Sequence, residues 1–141
     1  EIASINGFNF KPSNIHAAIG LLNLKSSNKK IKLINSIYDL YSQILADNKK
    51  IKILNKYNKN SIPMYILVHV NNKKKFINFC KKNKIELHFA LRTISETNLI
   101  KTKENFPNSI YLSKNLMRLP CGPGYHLKKI RKIANILKNY N

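Results

Sequence analysis

Residues 7–24, GFNFKPSNIHAAIGLLNL, constrain the fold more than any other stretch of the chain. The Gly-Phe-Asn-Phe-Lys-Pro run cannot be helical throughout, because proline lacks a backbone donor and biases the residue before it away from helical backbone. Pro12 does fit a first helical turn, and Ser13 or Asn14 would satisfy the free amides there. The helix that follows should run to about Lys25, with Ile15, Ala18, Ile19 and Leu22 on one face. Ala17, Ala18 and Gly20 make its inner surface small enough for another backbone to come close, and the polar Asn9 is held beside that contact.

Beyond a break at Ser26-Ser27-Asn28, hydrophobic periodicity gives a second helix from about Lys29 to Ala46. Its Ile31, Ile34, Tyr38, Tyr41 and Leu45 form an apolar stripe suited to packing on a sheet. Asp47 to Pro63 reads as a polar connector with a short strand near Ile51–Leu54, and the β-branched run Tyr65–Val70 as a central strand. Asn71-Asn72 turns the chain into a helix over Lys73–Asn83 that buries Phe76, Ile77 and Cys80. Ile85–Phe89 alternates like a half-buried strand. Residues 90–108 are poorly patterned, with a short helix near Ile94–Ile100 and a stop at Pro107. Ile110–Leu112 and Leu116–Leu119 are short apolar segments, the second of them the last strand. Gly122-Pro123-Gly124 is a turn, and His126–Tyr140 closes the chain as a helix burying Leu127, Ile130, Ile133, Ala134 and Leu137. The expected fold is α+β: two N-terminal helices, then a small, mainly antiparallel sheet covered by helices.

At 141 residues the chain can bury one core. The opening EIASINGF lacks the basic start and apolar run of a secretory signal, no apolar stretch is long enough to span a bilayer, and a cytoplasmic protein is expected. Cys80 and Cys121 match no metal or redox spacing, and His16, His69, His88 and His126 show no ligand pairing, so no metal is expected. The net charge of +20 would ordinarily point to a polyanion. Only Arg92, Arg118 and Arg131 are arginine, however, and the lysines run from Lys11 to Lys138 without forming a block. That pattern reads as a solvated, compositionally driven surface, with RNA or another polyanion as the alternative partner.

Gly7, Phe8, Asn9, Phe10, Lys11, Asn14, Ala17, Ala18, Gly20 and Leu24 resemble the segment that follows the catalytic half of the DegT/DnrJ/StrS-type sugar-nucleotide aminotransferases, which use pyridoxal phosphate. Tyr41 and Leu45 stand where that family carries a Tyr-x-x-x-Leu helix, and Leu119-Pro120 with the helix after it resembles the family's closing segment. Pro12 and His16 depart from the commoner residues at their positions, and His16 would place a titrating group near an interface. The resemblance implies the C-terminal small domain of a fold-type I aminotransferase. Residues 1–48 would be an interdomain segment with helices, 49–141 the small α/β domain, and the N-terminal cofactor domain would be absent.

Transamination through pyridoxal phosphate needs a Schiff-base lysine and an acid beside the pyridine nitrogen. In the resembling family these lie N-terminal to the Gly-x-Asn-x-Lys segment, so no catalytic residue is nominated and the piece should be inactive alone. Carried over by position, Asn9 would give its side-chain amide to the cofactor phosphate of a partner subunit, and Lys11 would add a point charge there. Arg92, after a strand, would meet a nucleotide-sugar phosphate. The implied partners are a second copy or a complementary N-terminal half, a nucleotide-sugar substrate and an amino-acid donor. No membrane partner is expected. A third reading is a non-catalytic subunit paired with a complete aminotransferase.

Overall fold

A computed structural model of the chain describes residues 13–54, 61–89, 93–97 and 104–141. Among these residues five α-helices and four strands follow in the order α1 (Asn14–Lys25), α2 (Ser27–Ile44), β1 (Ile51–Ile53), β2 (Ile66–Val70), α3 (Lys73–Lys82), β3 (His88–Phe89), α4 (Pro107–Asn115), β4 (Leu116–Leu119) and α5 (Leu127–Lys138). The strands form one sheet in the order β1-β2-β4-β3, with every neighbouring pair antiparallel. The expected α+β class, helices first and then a helix-covered antiparallel sheet, is what the chain adopts.

β2 lies inside the sheet as its β-branched run requires, with Ile51 opposite Val70 on one side and Ile66 opposite Leu119 on the other. Pleating sends Ile66, Val68 and Val70 to one face, where they are buried with Met117 and Leu119 of β4. Helices cover that face. Ile37, Leu40, Tyr41 and Leu45 come from α2, Phe76 and Cys80 from α3, and Ile130, Ile133, Ala134 and Leu137 from α5. The expected stripe on α2 is therefore rotated and shortened. Its C-terminal half packs through Ile37 and Leu40 as well as Tyr41 and Leu45, while Ile31 and Ile34 stay partly exposed because the core lies beneath the other end.

Long-range polar ties close the layers. Asn48, just past α2, uses both ends of its side-chain amide. Its Nδ2 donates to the carbonyls of Leu137 (3.4 Å), Lys138 (3.1 Å) and Tyr140 (3.2 Å), while its Oδ1 accepts from the amides of Lys50 and Ile51. One residue thus caps the end of α5 and shapes the entry to β1. Tyr140 stacks edge-on against Phe76 at 5.0 Å and Phe79 at 5.2 Å, fastening α3 beside the end of α5.

Several local expectations need correction. Ile110–Leu112 belongs to a helix, α4, and Pro107 opens that helix at its first turn instead of ending the region. The alternating run Ile85–Phe89 contributes only His88–Phe89 to the sheet. Ile85 is held earlier, its amide bonded to the Cys80 carbonyl (2.8 Å) as α3 ends, with Lys84 left-handed at φ 57. The helix expected near Ile94–Ile100 is a single 3-10 turn over Ile94–Glu96, and residues 98–100 lie outside the described ones. Leu127, expected in the core, is exposed. Gly122 has φ +151, open to glycine and costly for other residues, where the chain turns toward α5.

Candidate functional site

Ser13 caps α1 as a capping residue should. Its Oγ accepts from the His16 amide (3.5 Å), and His16 Nδ1 reaches back to the Ser13 amide (3.4 Å) and lies 2.9 Å from Oγ. His16 thus fills the place usually held by Glu or Gln in a capping box, and the titrating group weighed in the sequence works as a cap partner. At the far end the Ser26 amide bonds to the carbonyls of Asn23 and Leu24, and Lys30 Nζ ties back to Asn23 Oδ1 at 2.7 Å. A single non-helical residue therefore separates α1 from α2.

No residue of α1 is buried. Ile15 is 73% exposed, and Ile19, Leu21, Leu22 and Leu24 are also open. A helix apolar on nearly every side and covered on none is unusual for a finished surface. A Cβ added at Gly20 would meet nothing within 4 Å, so the close approach that the small residues permit is made by no described part of this chain. Beside α1, a groove of about 570 Å³ runs between Gly20, Leu24, Ile31, Ile34, Ile62 and Met64.

Asn9, Lys11 and Arg92, the residues nominated for cofactor and substrate, lie outside the described residues, as does Gly7–Phe10. Two other segments singled out in the sequence meet each other. The Tyr41 hydroxyl donates to the Pro120 carbonyl at 3.1 Å across 79 positions of sequence, inside the core. Burial, with a smaller contribution from Cys121, pushes the Tyr41 phenol well above its ordinary range, so it stays a neutral donor. Burial likewise pushes the Cys80 thiol up to about 12 and raises that of Cys121, and both cysteines are free. Neither is a poised nucleophile.

The sheet face opposite α2, α3 and α5 carries a polar pairing that sequence reading does not reveal. His69 Nε2 and the Tyr111 hydroxyl are 2.8 Å apart, with their rings stacked at 5.5 Å, and the Arg118 guanidinium lies 4.2 Å from the Tyr65 ring centre. The His69–Tyr111 pair needs α4, which the periodicity did not reveal. Ser109 Oγ donates to Thr93 Oγ1 at 2.9 Å, and Thr93 is the buried polar residue among those described.

Measured against the needs of pyridoxal phosphate, the described residues do not fit. They contain no buried carboxylate to hold a pyridine nitrogen protonated. Half-buried Lys73, at the start of α3, has its ammonium on the Ser113 carbonyl at 3.2 Å, its pKa lowered by burial. No step of transamination is derived from them. Among the described residues no His, Cys, Asp and Glu group could hold a metal ion, and no helix is long and apolar enough to cross a membrane.

Fold and sequence together define a class first: a small antiparallel α+β domain led by an uncovered apolar helix. The chain belongs to the DegT/DnrJ/EryC1/StrS aminotransferase family, which it matches over residues 2–138. Its fold is similar to that of DesV from S. venezuelae, solved in complex with a ketimine intermediate (TM-score 0.82, 11% identity, 96% of this chain and 38% of that one). It is also similar to the sugar aminotransferase CalS13 from Micromonospora echinospora (TM-score 0.82, 15% identity, 94% of this chain and 36% of that one). A further likeness is to PseC of Helicobacter pylori, an aminotransferase involved in the biosynthesis of pseudoaminic acid (TM-score 0.78, 21% identity, 98% of this chain and 40% of that one). The chain thus spans well under half the length of each of these proteins. No curated protein matches it by sequence.

Proposed function

We propose that this chain is the C-terminal part of a cytoplasmic pyridoxal-phosphate-dependent aminotransferase that moves an amino group from an amino-acid donor to a keto-sugar nucleotide, in surface polysaccharide or amino-sugar synthesis. The observation that carries the reading is the family match along nearly the whole chain, set against a span of 36 to 40% of the solved relatives described above. The uncovered α1 and its groove support it, since an apolar helix beside an open channel is the surface a further domain or subunit would cover.

In this reading residues 1–48 link the domains and 49–141 form the small domain. Residues outside this chain hold the cofactor ring. Asn9 donates its side-chain amide to the cofactor phosphate of a partner subunit, Lys11 adds a positive charge beside it, and Arg92 faces the phosphates of the nucleotide sugar. The chain by itself does not turn over substrate.

Two measurements test this. Pyridoxal phosphate added to the chain alone, followed by borohydride reduction and mass spectrometry, should leave only scattered, substoichiometric adducts over many surface lysines, and a stoichiometric adduct at a single lysine would refute the reading. In the complete enzyme, Asn9→Ala should weaken cofactor affinity about tenfold, close to 1.4 kcal/mol. Unchanged affinity would remove Asn9 from the phosphate.

A further inference from the structure

Part of the lysine excess strung out along the sequence gathers on two helices, α3 and α5. On α3 the exposed positions are Lys74, Lys75, Lys81 and Lys82, interrupted only by Asn78. On α5 they are Lys128, Lys129, Arg131, Lys132 and Lys138, interrupted only by Leu127 and Asn135. Both helices bury their opposite sides in one core against the same sheet face, and Tyr140 joins them through Phe76 and Phe79. Their outer sides therefore share one layer of the molecule.

Compositional drift toward lysine would load every exposed helix alike. It has not. α1, exposed along its whole length, carries only Lys25, α4 only Lys114, and the long α2 three, Lys29, Lys30 and Lys32, all near its start. None of the acidic residues among those described, Asp39, Asp47, Glu86, Glu96 and Glu104, lies on α3 or α5. Asp39, on α2, lines the same shallow recess as Arg131, and Glu86 stands in the loop just past α3.

We propose that the outer face of α3 and α5 is an electrostatic docking surface for an anionic phospholipid bilayer. Lysine predominates over arginine on this face, which suits a field of point charges better than bidentate reading of bases or phosphates. Among the described residues the exposed aromatics Tyr65, Phe106 and Tyr111 lie off both helices, and the half-buried Tyr125 ring before α5 already faces the Lys129 ammonium at 5.5 Å, so the face offers no row of open rings on which unpaired bases would stack. Long lysine stems let ammonium groups at different heights on two helices reach one planar layer of headgroups. The chain would adsorb to the surface without inserting, which agrees with the lack of a membrane-spanning helix among the described residues. The absence of a membrane partner expected from the sequence rested on spanning segments, and a surface contact needs none.

The test is co-sedimentation of the full chain with vesicles of phosphatidylcholine containing about 30 mol% phosphatidylglycerol. Binding should vanish on pure phosphatidylcholine and fall steeply as salt rises from about 0.05 to 0.5 M. Each lysine at an anionic surface is worth roughly a fivefold factor, so Lys81→Glu, Lys82→Glu, Lys128→Glu and Lys132→Glu together should cut partitioning by about 100-fold or more. A control with the same change in net charge (Lys25→Glu, Lys29→Glu, Lys52→Glu and Lys114→Glu) should lose far less, with circular dichroism matched to the parent in both. An equal loss in the two variants would reduce the effect to net charge and overturn the proposal. So would salt-insensitive or absent vesicle binding by the unmodified chain, or tighter binding to poly(U) RNA than to vesicles in the same buffer.

Discussion

α1 and α5 are both twelve-residue helices, and they occupy opposite extremes of the same molecule. α5 divides its residues cleanly: Ile130, Ile133, Ala134 and Leu137 are buried and its cations face outward. α1 divides nothing, because its apolar residues point in several directions and all remain open. A helix with one apolar side needs one neighbour, whereas a helix apolar on most sides needs several. The contrast teaches that α5 finds its complete environment within this chain and α1 does not.

The comparison can be broken most sharply in the core. Phe76→Ala should cost about 3–5 kcal/mol in denaturant unfolding, since the emptied space lies between α3 and Tyr140. Leu22→Ala on α1 should change the stability of the chain alone by less than about 0.5 kcal/mol, and a larger loss would show that α1 is covered after all. Asn48→Ala comes next. It strips a partner from carbonyls at the end of α5 and from the amides before β1, and should cost about 2–3 kcal/mol, with early amide exchange at both places.

A pH series sharpens the same divide. The Cys80 thiol is raised from 9.0 to about 12, and burial raises Tyr41 as well, so over this range the folded chain holds protons that the unfolded chain releases. Stability from these groups is fully present below about pH 9 and is lost as the pH climbs toward 12. Cys80→Ala should make that fall shallower in a thermal melting series, and an unchanged slope would assign it to other groups. A gain is expected at Lys84, left-handed at φ 57. Lys84→Gly should gain about 0.5–1 kcal/mol.

Legibility in the sequence followed the same line. β2, α3, α5 and the turn at Gly122 bury one side or bend at a residue that must bend, so periodicity and turn chemistry expose them. α4 escaped because Ile110, Tyr111 and Leu112 are consecutive, and a short helix with no buried residue imposes no period. β3 was overextended because the alternation of Ile85, Leu87 and Phe89 begins in the turn that closes α3. Of the functional segments, Tyr41 and Leu119-Pro120 were legible only as separate motifs, and the hydrogen bond joining them belongs to the fold. His16 was visible as a residue, but its capping partnership required knowing where α1 starts.

The strand order carries a consequence for synthesis. Among the described residues β3 pairs only with β4, which leaves the ribosome after the whole of α4, and β2 gains its second neighbour at the same moment. A nascent chain halted before Leu116 holds β2 half paired and β3 with no strand beside it, both open to chance association. Completion of the sheet therefore waits until Leu116–Leu119 has been made, and a stop codon shortly before that point would remove α5 as well and leave two strands without their shared neighbour.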